Sequence, residues 1–104
     1  MEMDDAVVGF GCLSTPSRIR VLQVLSKAGK EGMPSGEIAK ALDVPTNTLS
    51  TQLLLLSNAR LVKSRRDGRQ IIYWVNLEAL RDLIDYVAQE CANGRLKGSM
   101  RVAG

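Results

Sequence analysis

The chain has 104 residues, 45% apolar and 24% charged, with a net charge of +3. That length supports one domain around one core, and the composition excludes a disordered tail protein or a bilayer-spanning one. Two cysteines and no histidine exclude a disulfide scaffold, most transition-metal sites and the commonest general base.

The opening residues, MEMDDAVVGF, are acidic and hold no long apolar run. They do not read as a signal peptide, so the expected location is the reducing cytoplasm, with no membrane partner. Residues 4–13 carry Val7, Val8, Phe10 and Leu13. Their spacing predicts a short helix, weakened by Gly9 and Gly11. Ser14, Thr15 and Pro16 form a helix start, a hydroxyl ahead of a first-turn proline. Ile19, Leu22 and Leu25, with Val21 and Val24 beside them, carry that helix to about residue 28, where Gly29 ends it. Residues 30–34 read as a loop. Ser35 caps a helix over 36–42, with Ile38, Ala39 and Leu42 inward. Asp43 takes the following turn, because Asp tolerates a left-handed backbone.

The next stretch, 43–61, organises the chain. Pro45 sits near the first position of a helix that runs to about residue 59. Leu49, Leu53 and Leu56 form one buried stripe at helical spacing. The residues between them are short, polar and uncharged: Thr46, Asn47, Thr48, Ser50, Thr51 and Gln52. Such a face suits neither a core nor a salt-laced surface. It can exchange hydrogen bonds with base edges in the major groove of DNA. Asn47, Ser50, Thr51 and Gln52 are the candidates for base edges, Gln52 by pairing with adenine. Thr46 and Thr48, near the helix N-terminus, are candidates for phosphate. The plain alternative is a solvated helix face.

Two β-prone runs around Asp67-Gly68 then predict a hairpin. Of the 14 basic residues, five fall between Arg60 and Arg69, a local cluster suited to phosphate contact. Arg65, Arg66 and Arg69 at the tip would contact phosphates or the minor groove; alternatively they blunt a sheet edge. Trp74 and Tyr73 read as hairpin packing. A last helix runs from 77 to about 91, with Leu77, Leu80, Leu83, Ile84, Val87 and Ala88 on one apolar face. Asn93-Gly94 is expected to stop it, leaving a flexible tail from about 94 to 104.

The order is α-α-α-α-β-β-α: a mainly α protein with a small β-hairpin, a single winged helix-turn-helix domain over 1–104. The expected partner is a double-stranded DNA operator. No glycine-rich phosphate loop or nucleophile–base–acid set points to an enzyme. A winged-helix protein-interaction module without DNA binding is the competing reading.

The chain resembles the ArsR/SmtB family of bacterial transcription regulators. The family's early Leu-Ala-Asp-Pro-Thr-Arg-Leu-Arg-Ile-Leu motif appears as Leu13-Ser14-Thr15-Pro16-Ser17-Arg18-Ile19-Arg20-Val21-Leu22. Its helix-turn-helix matches Gly36-Glu37-Ile38-Ala39 onward to Leu53. Its wing matches Leu61-Val62-Lys63-Ser64-Arg65-Arg66-Asp67-Gly68-Arg69. Gln52 stands where many members carry His. Arg60 stands where Gly is common, at a cost of about 1 kcal/mol if φ is positive. The resemblance implies a homodimeric repressor, paired through its first and last helices, whose operator binding is relieved by a small effector. It also extends to an arsenic-responsive branch ending in Cys-Cys-Gly-Gly-Arg-Pro-Glu-Leu-Cys. The matching stretch here is Cys91-Ala92-Asn93-Gly94-Arg95-Leu96-Lys97-Gly98-Ser99, with two of three thiols gone. No cofactor is required and no metal site is expected. If first and last helices pair in the dimer, Cys12 of one chain approaches Cys91 of either chain. The two could then bind an As(III)-type metalloid or form a disulfide. The bland reading of both is a small buried hydrophobe.

Overall fold

The computed structural model describes residues 1–98, with side-chain surroundings for residues 1–93. Helix α1 spans Met3–Cys12, its start tied by the Glu2 backbone N–H donating to the Asp5 carboxylate at 3.4 Å. Helix α2 spans Pro16–Ala28. Its cap residue, Thr15, has the extended backbone a cap needs, but its hydroxyl makes no cap bond and is buried without a partner. Gly29 closes the helix with φ +60°. The buried residues of α2 are Val21 and Leu25, whereas Ile19 is exposed. The inward stripe is therefore rotated from the one the spacing predicts.

The expected loop after α2 holds a 3-10 turn, Gly29–Glu31, and a two-residue strand, β1, Met33–Pro34. Met33 pairs with Tyr73 and Pro34 with Ile72, antiparallel. A proline is tolerated because β1 is an edge strand. Gly32 makes this pairing possible: its φ is +76°, and a Cβ there would run into the Tyr73 carbonyl oxygen. Pro34, not Ser35, is the cap residue of α3, Ser35–Leu42. Asp43 then turns the chain at φ 55° and ψ 50°, the left-handed conformation expected of it.

Helix α4 spans Thr46–Asn58 behind Pro45, which is its cap residue. Leu49, Leu53 and Leu56 are buried to 2% exposure or less. Together with Val21, Leu25, Ile38, Leu61 and Leu83 they form an aliphatic core. Each such side chain contributes about 1.5–3 kcal/mol of burial. Arg60 leaves α4 at φ 64°, the strained position expected where the family carries Gly. The hairpin follows as β2, Val62–Asp67, and β3, Gln70–Val75, in a sheet of order β1-β3-β2. Asp67 pairs with Gln70, so the two-residue loop is Gly68-Arg69 rather than Asp67-Gly68. Gly68 has φ +64° and Arg69 does not share it, the pattern of a turn that matches strand twist.

Helix α5 spans Leu77–Gly98 and runs through Asn93-Gly94, past the expected stop near residue 91. The remainder of the expected flexible tail, 99–104, lies outside the described residues. Asn76 anchors its start: Oδ1 accepts from the Ala79 N–H, and Nδ2 donates to the Arg60 carbonyl at 2.9 Å. Of the apolar face predicted for α5, only Leu83 is fully buried, while Leu77, Ile84 and Val87 are exposed. Leu83 packs on Gly9 of α1, where an added Cβ would lie 2.9 Å from Leu83 Cδ2. Burial, with the carboxylates of Glu90 and Glu2 beside it, raises the Tyr86 phenol above its usual range. With Gly9 against Leu83, the Glu2 carboxylate acts on Tyr86 through its charge and not by contact, the arrangement of antiparallel α1 and α5.

Candidate nucleic-acid interface

The three buried leucines turn the rest of α4 outward. Thr46, Asn47, Thr48, Ser50 and Thr51 are exposed, and Gln52 is half-buried. Pro45 offers no capping side chain, so the first N–H groups of α4 are left for an external acceptor, the arrangement that favours an anion at a helix N-terminus. Thr46 and Thr48 flank that end. The two hydroxyls further along are not idle: Ser50 donates to the Thr46 carbonyl at 2.9 Å, and Thr51 to the Asn47 carbonyl at 3.3 Å. Their protons are engaged, so they present lone pairs to a donor.

Gln52 differs from the rest. Its Oε1 accepts from Arg18 Nη1 at 3.3 Å, across from α2. Arg18 is itself fixed, because its Nε donates to the Cys12 carbonyl. A bidentate pair with adenine needs both the oxygen and the nitrogen of the amide. The expected adenine pairing of Gln52 would need that oxygen to leave Arg18. The spacing of α4 could not reveal this, since Arg18 lies 34 residues upstream.

The wing arginines also divide. Arg65 lies over the Trp74 ring, 5.4 Å from its centroid, and donates to the Glu31 carbonyl at 3.3 Å. The two residues are diagonal neighbours on one face of the hairpin, since Arg65 pairs with Ile72 and Trp74 with Lys63. Arg65 thus braces the wing against the turn after α2. Arg66 and Arg69 are exposed. Arg69 lines an open cleft with Lys40 and the N-terminal residues of α3. Lys40 and Asn76 carry no signal in the sequence beyond a charge on a helix and an ordinary cap.

The structure does not bring Cys12 and Cys91 together within one chain. From the Gly9–Leu83 contact, Cys12 lies three residues one way and Cys91 eight residues the other. At about 1.5 Å per residue they are on the order of 16 Å apart, well beyond the ~7 Å that a disulfide allows between Cα atoms. Cys12 is buried and its thiol faces the Leu55 carbonyl of α4 at 3.6 Å. Burial pushes its thiol above the ordinary cysteine range, against the opposing charge and hydrogen bond of Arg18. Cys91 is exposed. Among the described residues no three metal-ligating side chains cluster, and no helix is long and apolar enough to cross a membrane.

Residues 13–65 match a family described as a helix-turn-helix domain. The chain is similar to the transcriptional repressor SdpR of Bacillus subtilis, 31% identical over 78 residues that span 75% of this chain and 83% of that one. It is also similar to a transcriptional repressor SmtB homolog of Synechocystis, 36% identical over 64 residues, 62% of this chain but only 46% of the relative's length. In fold it resembles the homodimeric winged helix-turn-helix DNA-binding domain Mb0332 from Mycobacterium bovis, described as a possible ArsR-family regulator. That likeness has a TM-score of 0.69 at 24% identity and covers 91% of this chain and 84% of that domain.

Proposed function

Because the chain belongs to the ArsR/SmtB family of winged helix-turn-helix transcriptional regulators, we propose that it is a cytoplasmic homodimeric repressor that inserts α4 into the major groove of an operator. One observation carries this reading: α4 buries its leucines and leaves a neutral hydroxyl-and-amide face, with an uncapped N-terminus, in solvent. Asn47, Ser50, Thr51 and Gln52 meet base edges. Thr46 and Thr48 meet phosphate, and Arg66 and Arg69 on the wing do the same. Arg65 holds the wing in place. An interaction module without DNA binding is disfavoured, because such a face would be acidic or apolar.

Mobility-shift titrations at several salt concentrations test it. The wild type binds random duplex at low salt. Arg66→Ala and Arg69→Ala each weaken binding to all sequences and flatten the log–log salt slope by about 1. Arg65→Ala leaves the slope near its starting value. No binding at low salt, or unchanged slopes in Arg66→Ala and Arg69→Ala, overturns the assignment.

Relief of binding is assigned to thiol chemistry across the dimer, by an oxidant or an As(III)-type metalloid. The exposure of Cys91 supports this; a thiolate is a soft ligand of the kind such a metalloid takes. Since one chain keeps its two cysteines apart, the effector joins Cys91 to a cysteine of the partner protomer. Peroxide or arsenite should release DNA from the wild type and not from Cys91→Ser. Equal release from both proteins sinks the thiol reading and leaves the DNA reading standing.

A further inference from the structure

Arg18 joins α2 to the polar face of α4 by a hydrogen bond to Gln52, while Arg20 lines a cleft beside the same residue. The Arg18 guanidinium carries only donors, so whichever atom of the Gln52 amide faces it must be the oxygen. The observed bond, Arg18 Nη1 to Gln52 Oε1 at 3.3 Å, obeys that rule. Arg18 cannot easily swing away. Its Nε is bonded to the Cys12 carbonyl. The end of α1 is in turn held by the Cys12 thiol on the Leu55 carbonyl and by the Leu13 N–H on the Gly9 carbonyl. The amide of Gln52 is thus oriented before DNA arrives. Its oxygen points inward, and among the described residues its Nε2 has no partner.

We propose that Arg18 is a positioning residue that sets base specificity, by fixing Gln52 so that it offers N–H donors alone and reads the N7 and O6 acceptors of guanine. This rests on the DNA-binding function proposed above. A freely rotating glutamine would pair with adenine, giving its oxygen to N6–H and its N–H to N7. With the oxygen held by Arg18, adenine keeps one bond and leaves its amino group facing another donor. Guanine presents acceptors only and makes no such conflict.

The test is selection of preferred sites from a randomised duplex library by the full-length dimer. Gln52→Ala first locates the base pair that Gln52 reads, as the position whose preference collapses. In the wild type that position is guanine. Arg18→Met keeps the apolar stem but removes every donor, freeing the amide to turn. Its preference at that one position shifts from guanine toward adenine by about tenfold, the scale of one bidentate contact, while the other positions stay as they were. A purely structural role for Arg18 would lower affinity evenly and move no single position. Should Arg18→Met fail to fold, Gln52→Glu replaces it. It keeps an acceptor toward Arg18 and removes the donors, so the guanine preference falls about tenfold. Adenine at the Gln52 position in the wild type overturns the proposal, as does an unchanged profile in a folded Arg18→Met or in Gln52→Glu. Failure of the wild type to bind any duplex is a different result, and overturns the DNA-binding function itself.

Discussion

At the scale of single residues, two side chains sit where their backbone is unfavourable. Asp43 and Arg60 both adopt positive φ, at 55° and 64°. Asp tolerates that region through its short polar side chain, whereas Arg gains nothing from it. The Arg60 carbonyl, not its side chain, is what Asn76 bonds. Arg60→Gly should therefore stabilise the protein by about 0.5–1 kcal/mol, the relieved strain less the extra freedom of glycine when unfolded. A urea melt with a raised midpoint and an unchanged slope is the expected result. A lowered midpoint would mean that the Arg60 side chain makes a contact worth more than its strain. Arg65 and Arg66 make a related point. They are adjacent in sequence and alike in charge, yet only Arg65 is committed to an aromatic ring and a backbone carbonyl. Alternation along β2 sends neighbours to opposite faces, so one braces the hairpin and the other is left for solvent or phosphate.

At the scale of elements, the close packing of α1 on α5 depends on a missing side chain. Gly9 is a weak helix former, and from sequence it reads only as a liability. In the fold it is buried against Leu83, with Cδ2 and Cδ1 at 2.9 and 3.0 Å from where a Cβ would stand. Leu83 is 1% exposed and cannot yield by swinging into solvent. Gly9→Val should push the two helices apart and cost about 1–3 kcal/mol, read as a lower denaturation midpoint. An unchanged midpoint would show that α1 is only loosely docked. The same pair of helices explains why the cysteines do not meet. Two antiparallel helices carry residues beyond their contact in opposite directions, so no rotamer brings Cys12 to Cys91 of the same chain.

At the scale of the whole molecule, one protomer leaves an apolar surface uncovered. On α1, Val7, Val8 and Phe10 are exposed, and on α5, Ile84 and Val87, with Ile84 at 54%. These helices pack on each other, so the apolar residues lie on neighbouring elements, and a surface of this kind marks an association site. A low aromatic content, 4%, limits how much one small core can bury, the condition under which a small domain gains burial by pairing. Ile84→Glu should therefore convert a dimer into a monomer on light scattering. It should also weaken operator binding far more than binding to a single half-site. A dimer of unchanged mass would place the association surface elsewhere.

The amino-acid sequence alone determined the order of the five helices and the hairpin, the buried stripe of α4 and the turn at Asp43, because each follows from local periodicity or local backbone preference. It also carried the family, through motifs whose spacing reflects those same local rules. What it missed is of another kind. Strand β1 is two residues long and exists only because β3 lies beside it. The length of α5 overrode a local Asn-Gly stop. The inward face of α2 turned to suit the helices packed on it. The partners of Gln52, Arg65 and Asn76 come from 34, 34 and 16 residues away. Pattern within a segment states which face is apolar; only the folded chain states which donor meets which acceptor, because hydrogen bonds are made between particular atoms brought together from distant positions.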